Sequence, residues 1–518
     1  MDQRALDTYD DFVVTHEGKQ TYSGVGYLHL PDGTASPCQF ECGQTKHGRI
    51  LYKCWFSEEH FSTVSSWLFP PTTTFYGSGQ ANNQEIMVIA DQFMKQIKEE
   101  YAILFSAREL SVECPNADFP VELKFKVTNF EFEQSPLHWI ADGHEVTLTH
   151  SKGYEEVIDR IELTTGVDIT AELSINFLSS DAMCYTTRME DIADDICHLL
   201  SLASGYKVEW LFWDALSENG QRVKSYHRRS RPTPCTPHSL IDRKNPPDPS
   251  DKRRSVAQFF DIFRKSNREA GWRLDGGITL LYDKYNRPQE PSDIKKFIDQ
   301  TFETFRKRNR EERWRQLREA INHYVAALEE HGFIELRALM LVVLVEDLVG
   351  SYASQRGRKH FVELSKFDKK EKWLKRGIKE VLTQVLDPPP SSRDAEEMTK
   401  SFKALNWRTF KTLLKELVES LHLNIDGNEL QEFKDIRDKL VHEARFLRPS
   451  ERGGKHADIM HANDEQYFEI VMSFVGCLML AILGYDGTYY SWILDYSGEE
   501  PTLWLDGRKM PYLSNKTS

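Results

Sequence analysis

Apolar and polar positions alternate with a period of two through much of the first 215 residues, then recur every three or four residues nearer the C-terminus. Tyr22–Leu30, closed by the turn signal Pro31-Asp32-Gly33, reads as a strand, as does Arg49–Phe56. Val121–Val127, Glu145–Thr149 and Glu172–Phe177 repeat the pattern. A helix is predicted over Met189–Ser204; Ala203-Ser204-Gly205 ends it before another strand, Tyr206–Trp213. From Ser230 to Asp251 the chain is proline-rich and polar, which marks a linker. Beyond it, helices are predicted over Ser292–Glu330, Ile334–Ser354, Lys370–Leu386, Ser401–Leu421, Asn428–Phe446 and Asp464–Leu483. Pro388-Pro389-Pro390 and Arg452-Gly453-Gly454 separate some of them, and no internal repeat is evident. The pattern predicts an α+β multidomain chain: a β-rich region over 1–230, a linker and connecting helices over 231–330, and an all-α helical bundle over 331–518.

Composition changes this picture little. Forty per cent hydrophobic and 28% charged residues suit a soluble globular protein, and 518 residues suffice for two or three domains. A net charge of −14 argues against non-specific wrapping of nucleic acid, though a local basic groove is compatible with it. Eight irregularly spaced cysteines fit a reducing cytoplasm better than a disulfide scaffold, and Met1–Asp7 does not open a signal peptide. The apolar run Ile470–Leu483 is too short to span a bilayer and reads as a buried helix.

Candidate chemistry concentrates in Phe433-Lys434-Asp435-Ile436-Arg437-Asp438-Lys439-Leu440-Val441-His442-Glu443. As a helix it carries an apolar stripe of Leu430, Phe433, Leu440, Val441 and Ala444, with Arg437 inside the stripe. A buried arginine is costly unless it is paired or faces a ligand. Arginine followed by histidine after four to six residues is by itself a weak pattern, and roughly two or three such pairs arise by chance here. The chain holds four: Arg222/His227, Arg231/His238, Arg318/His323 and Arg437/His442. The first two lie at or beside the linker, where no rigid element is expected to hold a geometry. The third sits on a very polar helix, expected to be a solvated face. Only Arg437/His442 combines an amphipathic helix with an arginine on its buried side.

That segment resembles the signature helix of the HEPN ribonucleases. The apolar helix carrying Glu346 and Asp347, and a last helix ending in Leu483-Gly484-Tyr485, strengthen the likeness. With a β-rich N-terminal half, the chain is similar to the ApeA-like branch, bacterial anti-phage defence proteins that act by abortive infection. The likeness covers about residues 330–492 and is looser over 1–230. It implies a cytoplasmic, metal-independent endoribonuclease without cofactor, cutting host RNA such as tRNA and leaving a 2′,3′-cyclic phosphate and a 5′-hydroxyl. Carried onto this sequence, His442 would move protons and Arg437 would stabilise the phosphorane. Asp438 would orient the imidazole, and Glu346 or Asp347 would neutralise Arg437. Where the family often has asparagine, this chain has Asp438. Five helical residues turn about 500°, so Arg437 and His442 stand about 140° apart. A homodimer or higher homo-oligomer would therefore bring the pair together, as the family does. A phage-derived trigger would act through the β-rich region.

Lys439 and the basic run Lys372, Lys375 and Arg376, with Trp373 beside it, are candidate RNA contacts; a solvated helix face explains the run equally well. Cys38, Cys42, His47 and Cys54 invite a zinc site, but the spacing is loose and ordinary strand cysteines are the simpler reading. Two other functions compete. One is a catalytically silent helical dimerisation module with a ligand-sensing β-domain, motivated by Asp438 and the acidic charge. The other is a carbohydrate-binding β-domain, resting on Tyr52, Trp55, Phe56, Trp210 and Trp213.

Overall fold

The structure is a computed structural model of the chain. It describes residues 14–15, 18–19, 21–45, 48–68, 74–97, 100–115, 117–128, 130, 132, 135–154, 169–177, 185–204, 207–229, 293–310, 317–328, 333–356, 366, 373, 375–377, 380–381, 391, 408–423, 425, 427–446, 464–485, 489–490 and 503–504. An α+β multidomain architecture results, with a β-rich N-terminal region followed by helices. The chain divides into two units between Glu303 and Thr304.

The N-terminal unit is built on one twelve-stranded antiparallel sheet. Its strands are β1 (Thr21–His29), β2 (Ala35–Gln44), β3 (Ile50–Trp55), β4 (Phe75–Ala81), β5 (Gln84–Ile97) and β6 (Ala102–Glu113). They continue with β7 (Pro120–Thr128), β8 (Leu137–Ala141), β9 (His144–His150), β10 (Ile169–Asn176), β11 (Glu209–Ser217) and β12 (Arg222–Arg228). The strand order is β8-β9-β10-β7-β11-β12-β6-β3-β2-β1-β4-β5, and β5 pairs back onto β6. The last six strands therefore close into a barrel, and the other six extend from it. The hinge of this topology is β6. Its whole length pairs with β5, while its other edge is shared: Ala102–Ala107 pairs with β3 and Glu109–Glu113 with β12.

Alternation explains the barrel interior. Ser36, Cys38, Phe40, Cys42 and Gln44 all point inward from β2, each buried, as the pleat dictates. Aromatic packing fills the lumen: Tyr52 lies 6.1 Å from Phe40 and 6.3 Å from Phe105, and Phe75 lies 5.2 Å from Phe105. Inward glycines leave room for these rings. A Cβ on Gly77 would overlap the Tyr52 hydroxyl, and one on Gly79 would overlap the Phe40 ring. The thiols of Cys38, Cys42 and Cys54 belong to this core, and burial pushes Cys42 and Cys54 well up. Among the described residues no group of His, Cys, Asp or Glu is arranged to hold a metal; His47 lies outside them.

Helix α1 (Glu58–Ser66) follows β3, and α2 (Tyr185–Ser204) lies on the extension. The apolar side of α2, with Met189, Ile192, Ile196, Leu199 and Leu200, is buried. Two indole groups from β11 donate to α2 carboxylates: Trp210 Nε1 to Asp194 at 2.8 Å and Trp213 Nε1 to Glu190 at 2.7 Å. Tyr52, Phe56, Trp210 and Trp213 are thus core residues, so of the five aromatics named for a carbohydrate site only Trp55 is partly exposed.

The expectation that no rigid element holds Arg222 and His227 is also corrected: both are in β12, which ends just before the linker. His227 is fully buried, stacked on Phe212 at 4.7 Å. Its Nδ1 lies 3.1 Å from Gln44 Oε1, and Gln44 Nε2 donates to the Arg228 carbonyl at 2.8 Å. Ser225 Oγ donates to Asp214 at 2.7 Å and lies 3.3 Å from His227 Nε2. The carboxylate here holds the serine rather than the imidazole, and all three groups are buried, so this is a core network and not a nucleophilic triad. Burial pushes His227 down to about 3, with Arg222 acting in the same direction.

The C-terminal unit contains α4 (Leu317–Leu328), α5 (Ile334–Gln355), α6 (Phe410–Ser420), α7 (Gly427–Glu443) and α8 (Asp464–Ile482); α3 (Asp293–Arg310) spans the division between units. Helix α5 is central and packs against α4, α6, α7 and α8. α6 begins later than its hydrophobic pattern predicts, at a Thr409 cap whose Oγ1 accepts from Thr412 N–H. α7 ends at Glu443, where Ala444 takes a positive φ of 50°. No helix among the described residues is long and apolar enough to cross a membrane.

Gly77→Ala is expected to destabilise the protein by about 1–3 kcal/mol through overpacking against Tyr52, measurable by chemical denaturation. His227 makes stability pH-dependent. Its folded value lies below the ordinary 6.5, so the contribution is complete above that pH and declines as pH falls from 6.5 toward 3. Denaturation curves of wild type and His227→Gln between pH 7 and about 4 should converge as the pH is lowered.

Candidate active site

Helix α7 forms because its apolar positions match the helical period: Leu430, Phe433, Ile436 and Leu440 are all buried. Phe433 stacks on Phe474 of α8 at 4.2 Å, which fixes the rotation of α7 about its axis. Two members of the predicted stripe are corrected. Val441 is 37% exposed, and Ala444 is exposed beyond the helix end. Ile436 takes their place, because the buried stripe follows positions three and four apart and has drifted past Val441.

Arg437 borders this stripe with 20% of its side chain exposed. Its Nε donates to Glu346 Oε1 of α5 at 2.6 Å, and its Nη2 donates to the same oxygen. Nη1 donates to Asp438 Oδ1 at 2.7 Å. The Phe410 ring at the start of α6 lies 5.3 Å from the guanidinium carbon. Partial burial works against the charged form of Arg437, but the hydrogen bonds it donates to Asp438 and Glu346 outweigh that and hold the cation more firmly.

Of the two acids expected opposite Arg437, Glu346 does the pairing. Burial pushes the Asp347 carboxyl up; the electrostatic influence of His323 on α4 opposes the shift and Glu346 adds to it. The helix of Arg318 and His323 is correspondingly no solvated face. Leu317, Ala320, Ile321, Tyr324 and Val325 are buried, and α4 packs along α5.

Asp438 does not orient His442. Its second oxygen accepts from Lys434 Nζ at 2.6 Å, one helical turn back, so both oxygens are engaged by cations. Burial raises this carboxyl, and Lys434 and Arg437 together bring it below the ordinary value. His442 is exposed in the last turn of α7, and among the described residues nothing hydrogen-bonds to its ring. Lys439 pairs with Glu443 at 2.5 Å. Lys375 and Arg376 are described, Arg376 in an exposed pair with Glu380 at 3.1 Å beside Trp373, which is 74% exposed. Lys372 lies outside the described residues.

Sequence reasoning missed Lys434 and Phe410. Lys434 was readable as an i,i+4 partner of Asp438. Phe410 comes from another helix, and no local signal announces it. Comparison with known proteins finds no matching family model, no matching curated protein and no matching solved structure.

Both members of the Arg437–Glu346 pair are partly exposed, which bounds its structural worth. A double-mutant cycle with Arg437→Gln and Glu346→Gln should give a coupling of about 1 kcal/mol or less in chemical denaturation.

Proposed function

We propose that this protein is a metal-independent endoribonuclease of the HEPN type, acting in anti-phage defence by cutting host RNA. The observation that carries the reading is a partly exposed guanidinium held between Glu346 and Asp438, one and a half turns from an exposed histidine on the same helix. A planar fork of donors suits the charge that builds on phosphorus, and an imidazole titrates near neutrality. In the reaction the ribose 2′-hydroxyl attacks the adjacent phosphorus and loses its proton, and the 5′-oxygen departs and gains one. His442 handles one of these protons, as base or as acid. Arg437 stabilises the phosphorane between them.

The active form in this reading is a dimer. Helix α5 is apolar on nearly every side, yet Leu336 is 53% and Val343 39% exposed, with Met340 between them on the same face. An apolar face eight residues long, from Leu336 to Val343 and followed by Glu346 and Asp347, favours burial against a second copy. Arg437 of one copy and His442 of the other would then meet one phosphate. The rival reading, a silent dimerisation module, draws support from the double neutralisation of Arg437.

RNA from induced cells should carry new 2′,3′-cyclic phosphate ends with wild type and none with His442→Ala or Arg437→Ala; ends that persist in both variants sink the nuclease reading. Mixing the two inactive variants should restore about a quarter of wild-type cleavage, since half the dimers are mixed and each holds one complete site. No restoration would place both groups of a site in one chain.

A further inference from the structure

Arg437 carries two carboxylates before any substrate arrives. Its guanidinium has five N–H donors. Nε and Nη2 each direct one to Glu346, and Nη1 directs one to Asp438. Two remain, enough for the non-bridging oxygens of one phosphate. The charge in direct contact with the guanidinium is unfavourable to more than one negative charge on that phosphate. Among the described residues Lys434 and Arg437 stand against Glu346 and Asp438, while Asp435, 3.8 Å from Lys434, is also bridged to Lys411 through Gln431 and Asp347 is offset by His323. Asp438 is held in place from its far side by Lys434, so an arriving phosphate meets a fixed anion rather than a mobile one.

Resting on the nuclease reading, we infer that Asp438 is a specificity residue: it restricts Arg437 to singly charged phosphodiesters and rejects doubly charged phosphate groups such as RNA termini. A diester carries one charge, which the two remaining donors can match. A terminal phosphate or free phosphate near pH 8 carries close to two, and the second falls within a few ångströms of the Asp438 carboxylate. One extra unit repulsion at such a distance, partly screened by solvent, corresponds to about a tenfold loss of affinity. The same position thereby biases the site toward internal linkages and keeps it from being occupied by free phosphate.

The test is displacement of a fluorescent 2′-deoxy oligonucleotide with hydroxyl ends, which binds without being cut, by inorganic phosphate at pH 8. The full-length chain is compared with Asp438→Asn, a substitution of nearly the same shape. The phosphate concentration at half displacement should fall about tenfold in Asp438→Asn, while displacement by dimethyl phosphate, a singly charged diester, changes much less. Arg437→Gln combined with Asp438→Asn should erase the gain. An unchanged phosphate midpoint, a gain that survives in the double variant, or failure of every form to bind the oligonucleotide would each overturn the assignment. The nuclease reading is judged separately by the RNA ends: a wild type that cuts, with an unchanged midpoint in Asp438→Asn, retains the activity and loses this role for Asp438.

Discussion

A guanidinium cannot be left at the edge of an apolar helix stripe without counter-charge, and the C-terminal unit is arranged around that requirement. Desolvation disfavours the cation, and Glu346 and Asp438 reverse the balance through three hydrogen bonds. Satisfying Arg437 from α5 ties α7 to the central helix at a defined rotation, which the Phe433–Phe474 stack fixes from the other side. The same rotation turns His442 to solvent. One helix therefore does two things: its inner side anchors a cation, and its outer side presents an imidazole that has no hydrogen-bond partner among the described residues.

The two faces also differ in how much they contribute to folding. The apolar stripe of α7 is fully buried and holds the helix in the bundle. The ionic cluster is a third exposed and adds little to stability. That small patch nevertheless commits four charged side chains, Arg437, Glu346, Asp438 and Lys434, and the proposed chemistry rests on it.

Much of this was legible in the sequence, and the failures are instructive. α5 and α8 were placed within a residue or two, because long apolar runs with helical spacing leave little choice. Glu346 was one of two candidates for Arg437, and only the bundle geometry separated it from Asp347. The barrel was the harder part. β4 reads Phe75-Tyr76-Gly77-Ser78-Gly79-Gln80-Ala81, a composition that signals a turn until its glycines are seen making room for Tyr52 and Phe40. β5 shifts register three times against β6, which breaks the alternation that identifies a strand. β12 was hidden by the basic, linker-like run at its end. In each case a long-range partner supplied what local pattern lacked.

The divided edge of β6 has a consequence for the order in which the protein is made. β5 and β3, its barrel partners, are both synthesised before it, so one whole edge of β6 and half of the other can pair as soon as it emerges. The rest of that second edge, along Glu109–Glu113, waits for Arg222–Arg228, more than a hundred residues later in the chain. Through that interval the nascent protein displays a short run of unsatisfied backbone amides and carbonyls. Charge guards it: Glu109 and Glu113 occupy its two ends, and Lys224 later pairs with Glu113 when the strand is finally capped. A chain interrupted before Arg222 would keep that edge open, as a seam along which two incomplete copies could adhere.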